Sequence, residues 1–151
     1  MGLHAHLREL PLFAYLTTSE LEMLAPLARL IEGEAGVTLL KEGEPVQNIY
    51  FLLSGGAEIA KQDRRGNRKV IASVGNGALL GEMALVEDAP ASATVVAVTN
   101  FTAVAFDRQA FNLMLEKYSG IGEKILKQIA RLLSQRLRTT SAELAEHKAA
   151  S

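Results

Sequence analysis

Between Leu30 and Phe106, apolar and β-branched residues come in short runs, divided by turns at Gly33, Gly36, Gly43, Gly55-Gly56, Gly66, Gly75, Gly77 and Gly81. Such runs are too short for ordinary helices, and their β-branched content suits a pleated surface. The pattern predicts strands over 30–32, 38–40, 48–53, 57–62, 69–74, 94–98 and 101–106. Many short strands at regular spacing predict a sandwich or barrel, of which the jelly roll is the best-known case.

Outside that block the period changes. Residues 4–10 predict a short helix closed by Pro11, and the apolar segment 12–16 is expected to pack onto the strands. Thr17-Thr18-Ser19-Glu20 reads as a helix start, with hydroxyls that can accept from the first N–H groups. Leu21, Leu24 and Leu27 follow at helical spacing, and Pro26 predicts a kink or an early stop. After the strands, Asp107 is placed to cap a helix over 108–117, with Phe111 and Leu115 facing inward. Gly120 and Gly122 predict a break, and 121–147 a long helix. Its apolar stripe is Ile125, Ile129, Leu132, Leu133 and Leu137, with Lys124, Lys127, Arg131 and Arg138 on the wet side. The stripe is longer than a small barrel can cover, so two such helices could pair as a short coiled coil.

Composition narrows the class. The 151 residues suffice for one domain, spanning 1–151. It divides into a helical preface (1–29), a β region (30–106) and closing helices (107–147). A formal net charge of −1 gives no general attraction to nucleic acid or anionic lipid. The absence of cysteine excludes disulfides, thiol catalysis and cysteine metal sites. No apolar run reaches the length of a membrane span. The first residues lack the layout of a signal peptide, and His6 stands where a myristoylation motif needs Ser or Thr. The chain therefore reads as cytoplasmic. His4, His6 and His147 all fall outside the predicted strands, which argues against a metal-binding barrel and against hydrolase triads. No enzyme, no metal and no cofactor are expected. The most basic stretch, 63–69, reads as the solvated tip of a hairpin.

One stretch, 79–94 (LLGEMALVEDAPASAT), does not fit a plain turn so simply. Gly81 permits close approach of a ligand or another backbone. Glu82 follows, then Met83-Ala84-Leu85-Val86, enough for about one helical turn before Glu87-Asp88 and Pro90 stop it. Ala91, Ser92 and Ala93 are small, and a strand follows. A glycine entering one turn aims N–H groups outward, where anions and hydroxyls bind. Amides at Ser92 and Ala93 would add a second set. The residues support a cradle for an oxygen-rich ligand with Glu82 as acceptor. Taken alone they favour the plainer reading, a tight turn between strands with the glycine there for geometry.

The stretch resembles the phosphate-binding cassette of the cyclic-nucleotide-binding domain family, through Gly81-Glu82-Met83-Ala84-Leu85 and Pro90-Ala91-Ser92-Ala93-Thr94. The resemblance extends upstream to Leu40-Lys41-Glu42-Gly43-Glu44, Tyr50-Phe51-Leu52-Leu53-Ser54-Gly55 and Glu58-Ile59. It implies a mainly β fold with flanking helices: a jelly roll (double-stranded β-helix), helices at its N-terminus and a long C-terminal helix. It implies a regulatory domain that binds cAMP, cGMP or a related small ligand. Glu82 would take the ribose 2′-hydroxyl, helped by the backbone of Gly81, Met83 and Ala84. Ser92 and Ala93 would hold the phosphate.

The chain departs from the family at Ala91, where an arginine normally pairs with the phosphate. Weak binding is therefore expected, or a scaffold and dimerisation domain with a vestigial pocket. An arginine of the 63–69 tip could replace the missing partner if the tip folds back. Thr140-Ser141 matches in type a pair that touches the base in the family, about one helical turn farther along. The resemblance also implies a homodimer through the long helix. Too little chain follows that helix for the helix-turn-helix of the family's transcription-factor branch. No DNA binding is expected of this chain alone, unless a partner chain supplies the DNA-binding domain.

Overall fold

The computed structural model describes residues 3–150, with side chains described for 6–146. The Gly2 site and the His4 and His147 side chains lie outside the described residues. Among the described residues four α-helices and eight strands follow in order: α1 (Leu3–Glu9), α2 (Thr18–Leu24), β1 (Ala28–Gly33), β2 (Thr38–Leu40), β3 (Asn48–Ser54), β4 (Ala57–Gln62), β5 (Arg68–Val74), β6 (Leu79–Leu80), β7 (Thr94–Ala97), β8 (Phe101–Asp107), α3 (Arg108–Lys117) and α4 (Ser119–Ala150). The strands form two antiparallel sheets, β1-β8-β3-β6 and β2-β7-β4-β5. This is the expected jelly roll with flanking helices.

Two strands explain the layering. β3 and β8 are central in the first sheet and are buried on both faces, so they read as continuous apolar runs. Leu52, Phe101 and Ala103 point between the sheets, with Val95 and Ala97 opposite. Ile49, Phe51, Val104 and Phe106 point the other way, into a cluster with the helices. There Phe106 lies 4.9 Å from Phe111 of α3, and Phe51 lies 5.4 Å from Phe13, centroid to centroid. The apolar segment after Pro11 thus packs onto the barrel, and the apolar cluster around these rings, with Leu7, Leu21, Leu24, Ile121 and Ile125, holds α1, α2, α3 and α4 on one sheet face.

The helix ends follow their caps. Thr17 Oγ1 accepts from the Glu20 N–H, and Glu20 Oε1 accepts from the Thr17 N–H, a complete capping box. Pro26 ends α2 at Leu24, and Ala25–Leu27 continues as a single 3-10 turn. Asp107 accepts from the Ala110 N–H at 2.9 Å.

One strand was not predicted, and two expectations need correction. Leu79–Leu80 is a strand, because its two residues pair with Tyr50 and Phe51. Gly120 and Gly122 do not break the helix. The break is at Tyr118 (φ −117°, ψ 83°), and α4 runs through both glycines. A Cβ on Gly122 would stand 2.7 Å from the Leu115 carbonyl oxygen, so this glycine lets α4 cross close to α3. Lys124 is not on a fully wet face: its Nζ meets Glu20 Oε1 at 2.6 Å, and its side chain is half-buried. Beside it the buried Gln128 donates to the Pro11 carbonyl at 3.0 Å.

Candidate functional site

Gly81 ends β6 with φ +86°, a conformation that suits glycine. A Cβ there would also lie 3.3 Å from both the Asn48 carbonyl oxygen and a Val46 methyl. The chain then makes the 3-10 turn Glu82–Leu85, whose Ala84 N–H donates back to Gly81. The Glu82 and Met83 N–H groups have no protein acceptor among the described residues. The second half of the motif is tied to the turn before β3. Ala91 N–H donates to Glu44, and Ala91 accepts from Gly43 N–H, both at 2.9 Å. Glu42 N–H donates to Thr94 Oγ1, and Glu42 Oε1 accepts from Gln62 N–H. The upstream 40–44 motif is therefore the clamp that fixes the second half of the cradle. Ser92 and Ala93 N–H groups have no protein acceptor among the described residues.

These two segments face one cavity of about 870 Å³. Gly81, Glu82, Met83, Ala84, Ala91, Ser92 and Ala93 all line it. Ile59, Ala72, Val74 and Val95 give it an apolar wall from the second sheet. Leu133 and Arg136 of α4 complete the lining. Such a site offers carboxylate and amide partners together with apolar surface, which suits a ligand with a polar and a flat apolar part.

Thr140 and Ser141 are not brought to this cavity. Both are exposed on α4. Thr140 lies about 6 Å farther along the helix axis than Arg136. The 63–69 tip is not folded over the motif either: Asp63 Oδ1 accepts from the Arg65 and Asn67 N–H groups, and none of its arginines lines the cavity. The Ala91 methyl is buried against Val46, Ala84 and Leu40.

Arg136 is the site residue that sequence reasoning missed. Its Nη1 stands 3.3 Å from Glu82 Oε1. The Glu82 side chain is 14% exposed and that of Arg136 62%. A pair this exposed on one side contributes well under ~1 kcal/mol to stability, so its importance lies in where it puts the charge. The available signal was the three-residue spacing from Leu133, which puts Arg136 on the same helix face.

The cyclic nucleotide-binding domain family model matches residues 31–118. The chain belongs to that family. This cyclic nucleotide-binding domain is 33% identical over 115 residues to a cAMP-dependent protein kinase regulatory subunit of Colletotrichum orbiculare, covering 76% of this chain and 29% of that protein. It is 29% identical over 111 residues to a CRP-like cAMP-activated global transcriptional regulator of Mycobacterium tuberculosis, covering 74% of this chain and 48% of that protein. The domain thus spans less than half the length of either relative. Its fold matches the crystal structure of a cyclic nucleotide-binding domain from Methylobacillus flagellatus, with a TM-score of 0.79 and 24% identity, over 94% of this chain and 84% of that one. Among the described residues no helix of this domain is long and apolar enough to cross a membrane.

Proposed function

We propose that this domain is a regulatory sensor that takes cAMP, cGMP or a related ribose-bearing phosphate into the cavity between 81–93 and α4. What supports the reading is one observation: Glu82 and four unengaged N–H groups, from Glu82, Met83, Ser92 and Ala93, line the same cavity. In the proposed mode Glu82 accepts from a ribose hydroxyl, with the Gly81–Ala84 backbone around it. The Ser92 and Ala93 amides hold the phosphate. Binding is weak, because Ala91 offers no charge to the phosphate. The domain's part is recognition and signalling, with no catalytic step. A cytoplasmic location goes with this reading, as does the absence of direct DNA contact by this chain.

The proposed output runs through α4. Leu126, Ala130, Leu133, Leu137, Thr140 and Leu144 fall at alternating intervals of four and three residues, the seam of a two-stranded coiled coil. Leu137 and Leu144 are 67% and 57% exposed. A homodimer along this seam would cover them and would bring Thr140 to the interface. A ligand that touches both the motif and α4 would favour one arrangement of the helix pair, a population shift.

Calorimetric titration of the full chain with cAMP and then cGMP tests the reading. Saturable binding weaker than micromolar is expected, abolished by Glu82→Ala. No binding at millimolar nucleotide overturns it and favours the scaffold reading, whose specific support is the Ala91 methyl packed where the family carries a cation.

A further inference from the structure

Among the described residues the charges lining the cavity are few: Glu82, Glu87 and Arg136. Without Arg136 the cavity presents two carboxylates and no cation, a poor setting for a phosphodiester, since like charges in one partly enclosed site repel. The motif itself supplies no positive side chain, because its second half reads Pro90-Ala91-Ser92-Ala93. The 63–69 tip, with its three arginines, lies outside the lining. Among the described residues only α4 brings a cation in.

We propose that Arg136 supplies the counter-charge that Ala91 withholds, so that the cation for an anionic ligand sits on the α4 helix and not in the cradle. The inference rests on the cyclic-nucleotide reading of the cavity. Three observations carry it. Arg136 lines the same cavity as the Ser92 and Ala93 amides. Its Nη1 is already drawn to Glu82 Oε1, at 3.3 Å, at the end of the cavity where the hydroxyl would bind. An arginine has five N–H donors in a planar fork, and Nη1 is the one group committed to Glu82. With the side chain 62% exposed, the remaining donors can turn to a phosphate while Glu82 keeps its own. A bound phosphate and Glu82 would then share one guanidinium. The ligand's charge would be read directly by α4, the helix proposed to carry the output.

The test compares cAMP with adenosine, which has the same base and ribose but no phosphate, by NMR titration of the full chain. In the wild type cAMP should bind more tightly than adenosine. Arg136→Gln should weaken cAMP by roughly tenfold to a hundredfold, the worth of one charge-assisted hydrogen bond, and leave adenosine within about twofold. Arg136→Lys, which keeps a point charge but not the fork, should fall between. An unchanged cAMP affinity in Arg136→Gln overturns the proposal. So does an equal loss for cAMP and adenosine, which would mean that Arg136 only positions Glu82. In both of those outcomes the wild type still binds cAMP, so the reading of the site stands. A wild type that binds neither compound overturns the reading of the site and this inference together. Far-UV circular dichroism of each variant checks that α4 is intact, as expected for a change at so exposed a position.

Discussion

Ala91 fixes the character of the site more than any other single residue. It holds the backbone geometry of the cradle through its two 2.9 Å hydrogen bonds to the 43–44 turn, so the cradle forms without a side chain to help it. What it omits is charge. The position borders the cavity, and an arginine there would have to pass the Val46, Ala84 and Leu40 side chains that pack on the methyl to reach it. Once past them, Ala91→Arg should raise affinity for cAMP by about 1.5–3 kcal/mol, on the order of tenfold to a hundredfold. Calorimetry checks this directly, and an unchanged or lower affinity would show that the arginine does not reach a phosphate at this end. Gly81 is fixed by two constraints at once, a positive φ and the nearby Asn48 carbonyl. Glu82 is fixed by its place on the turn that Gly81 starts.

At the scale of elements, α4 is held at its near end and free at its far end. Ile121, Ile125 and Ile129 are buried, Leu132 and Leu133 are half-buried, and every residue from Ser134 to Glu146 is exposed. The near end is also tied to α2 by Lys124 and Glu20. The Lys124 hydrogen bond is the largest cause, and the Thr17 N–H the next, that hold the Glu20 carboxyl below its ordinary value of 4.5. A carboxylate lowered by folding adds stability that is fully present above its unfolded pKa and is lost as pH falls through the folded value. The wild type should therefore lose part of its stability as pH drops below about 4.5. Glu20→Gln should remove that part of the pH dependence while lowering stability at neutral pH. Urea denaturation at pH 7 and below pH 4 measures both. An equal loss at the two pH values would mean that the ionised carboxylate contributes nothing.

The whole molecule puts a row of exposed leucines and part of the cavity lining on the same helix. Leu133 lines the cavity and also lies on the seam with Leu137 and Leu144. If the seam pairs two copies, the exposed leucines carry the interface. Leu137→Glu with Leu144→Glu should then give monomers in sedimentation velocity where the wild type gives dimers. Both positions lie beyond the packed part of α4, so the monomers should keep a folded barrel with an unchanged β signal in far-UV circular dichroism. A wild type that sediments as a monomer with and without cAMP would remove the helix pair from the mechanism. Signalling would then have to run through a partner that covers α4.

The sequence by itself determined whatever depends on neighbours in the chain. Strand period and turn glycines placed seven of the eight strands to within a residue or two. Thr17 with Glu20, and Asp107, marked two helix starts, because a cap is satisfied within three residues. The motif at 81–93 was legible for the same reason, since a glycine, a turn and two sets of amides are local features. Leu79–Leu80 escaped notice because two residues have no period, and only their partners in β3 make them a strand. Gly122 read as a break, because nothing near it in the chain reveals the Leu115 carbonyl it must pass. Arg136 lies 54 residues from Glu82, and no spacing rule links them. Thr140 and Ser141 matched in type, yet the angle and length of α4 carry them past the cavity. Only the tertiary structure decided which helix turn faces the site, because that depends on how the aromatic cluster and the α3–α4 crossing seat α4 on the barrel.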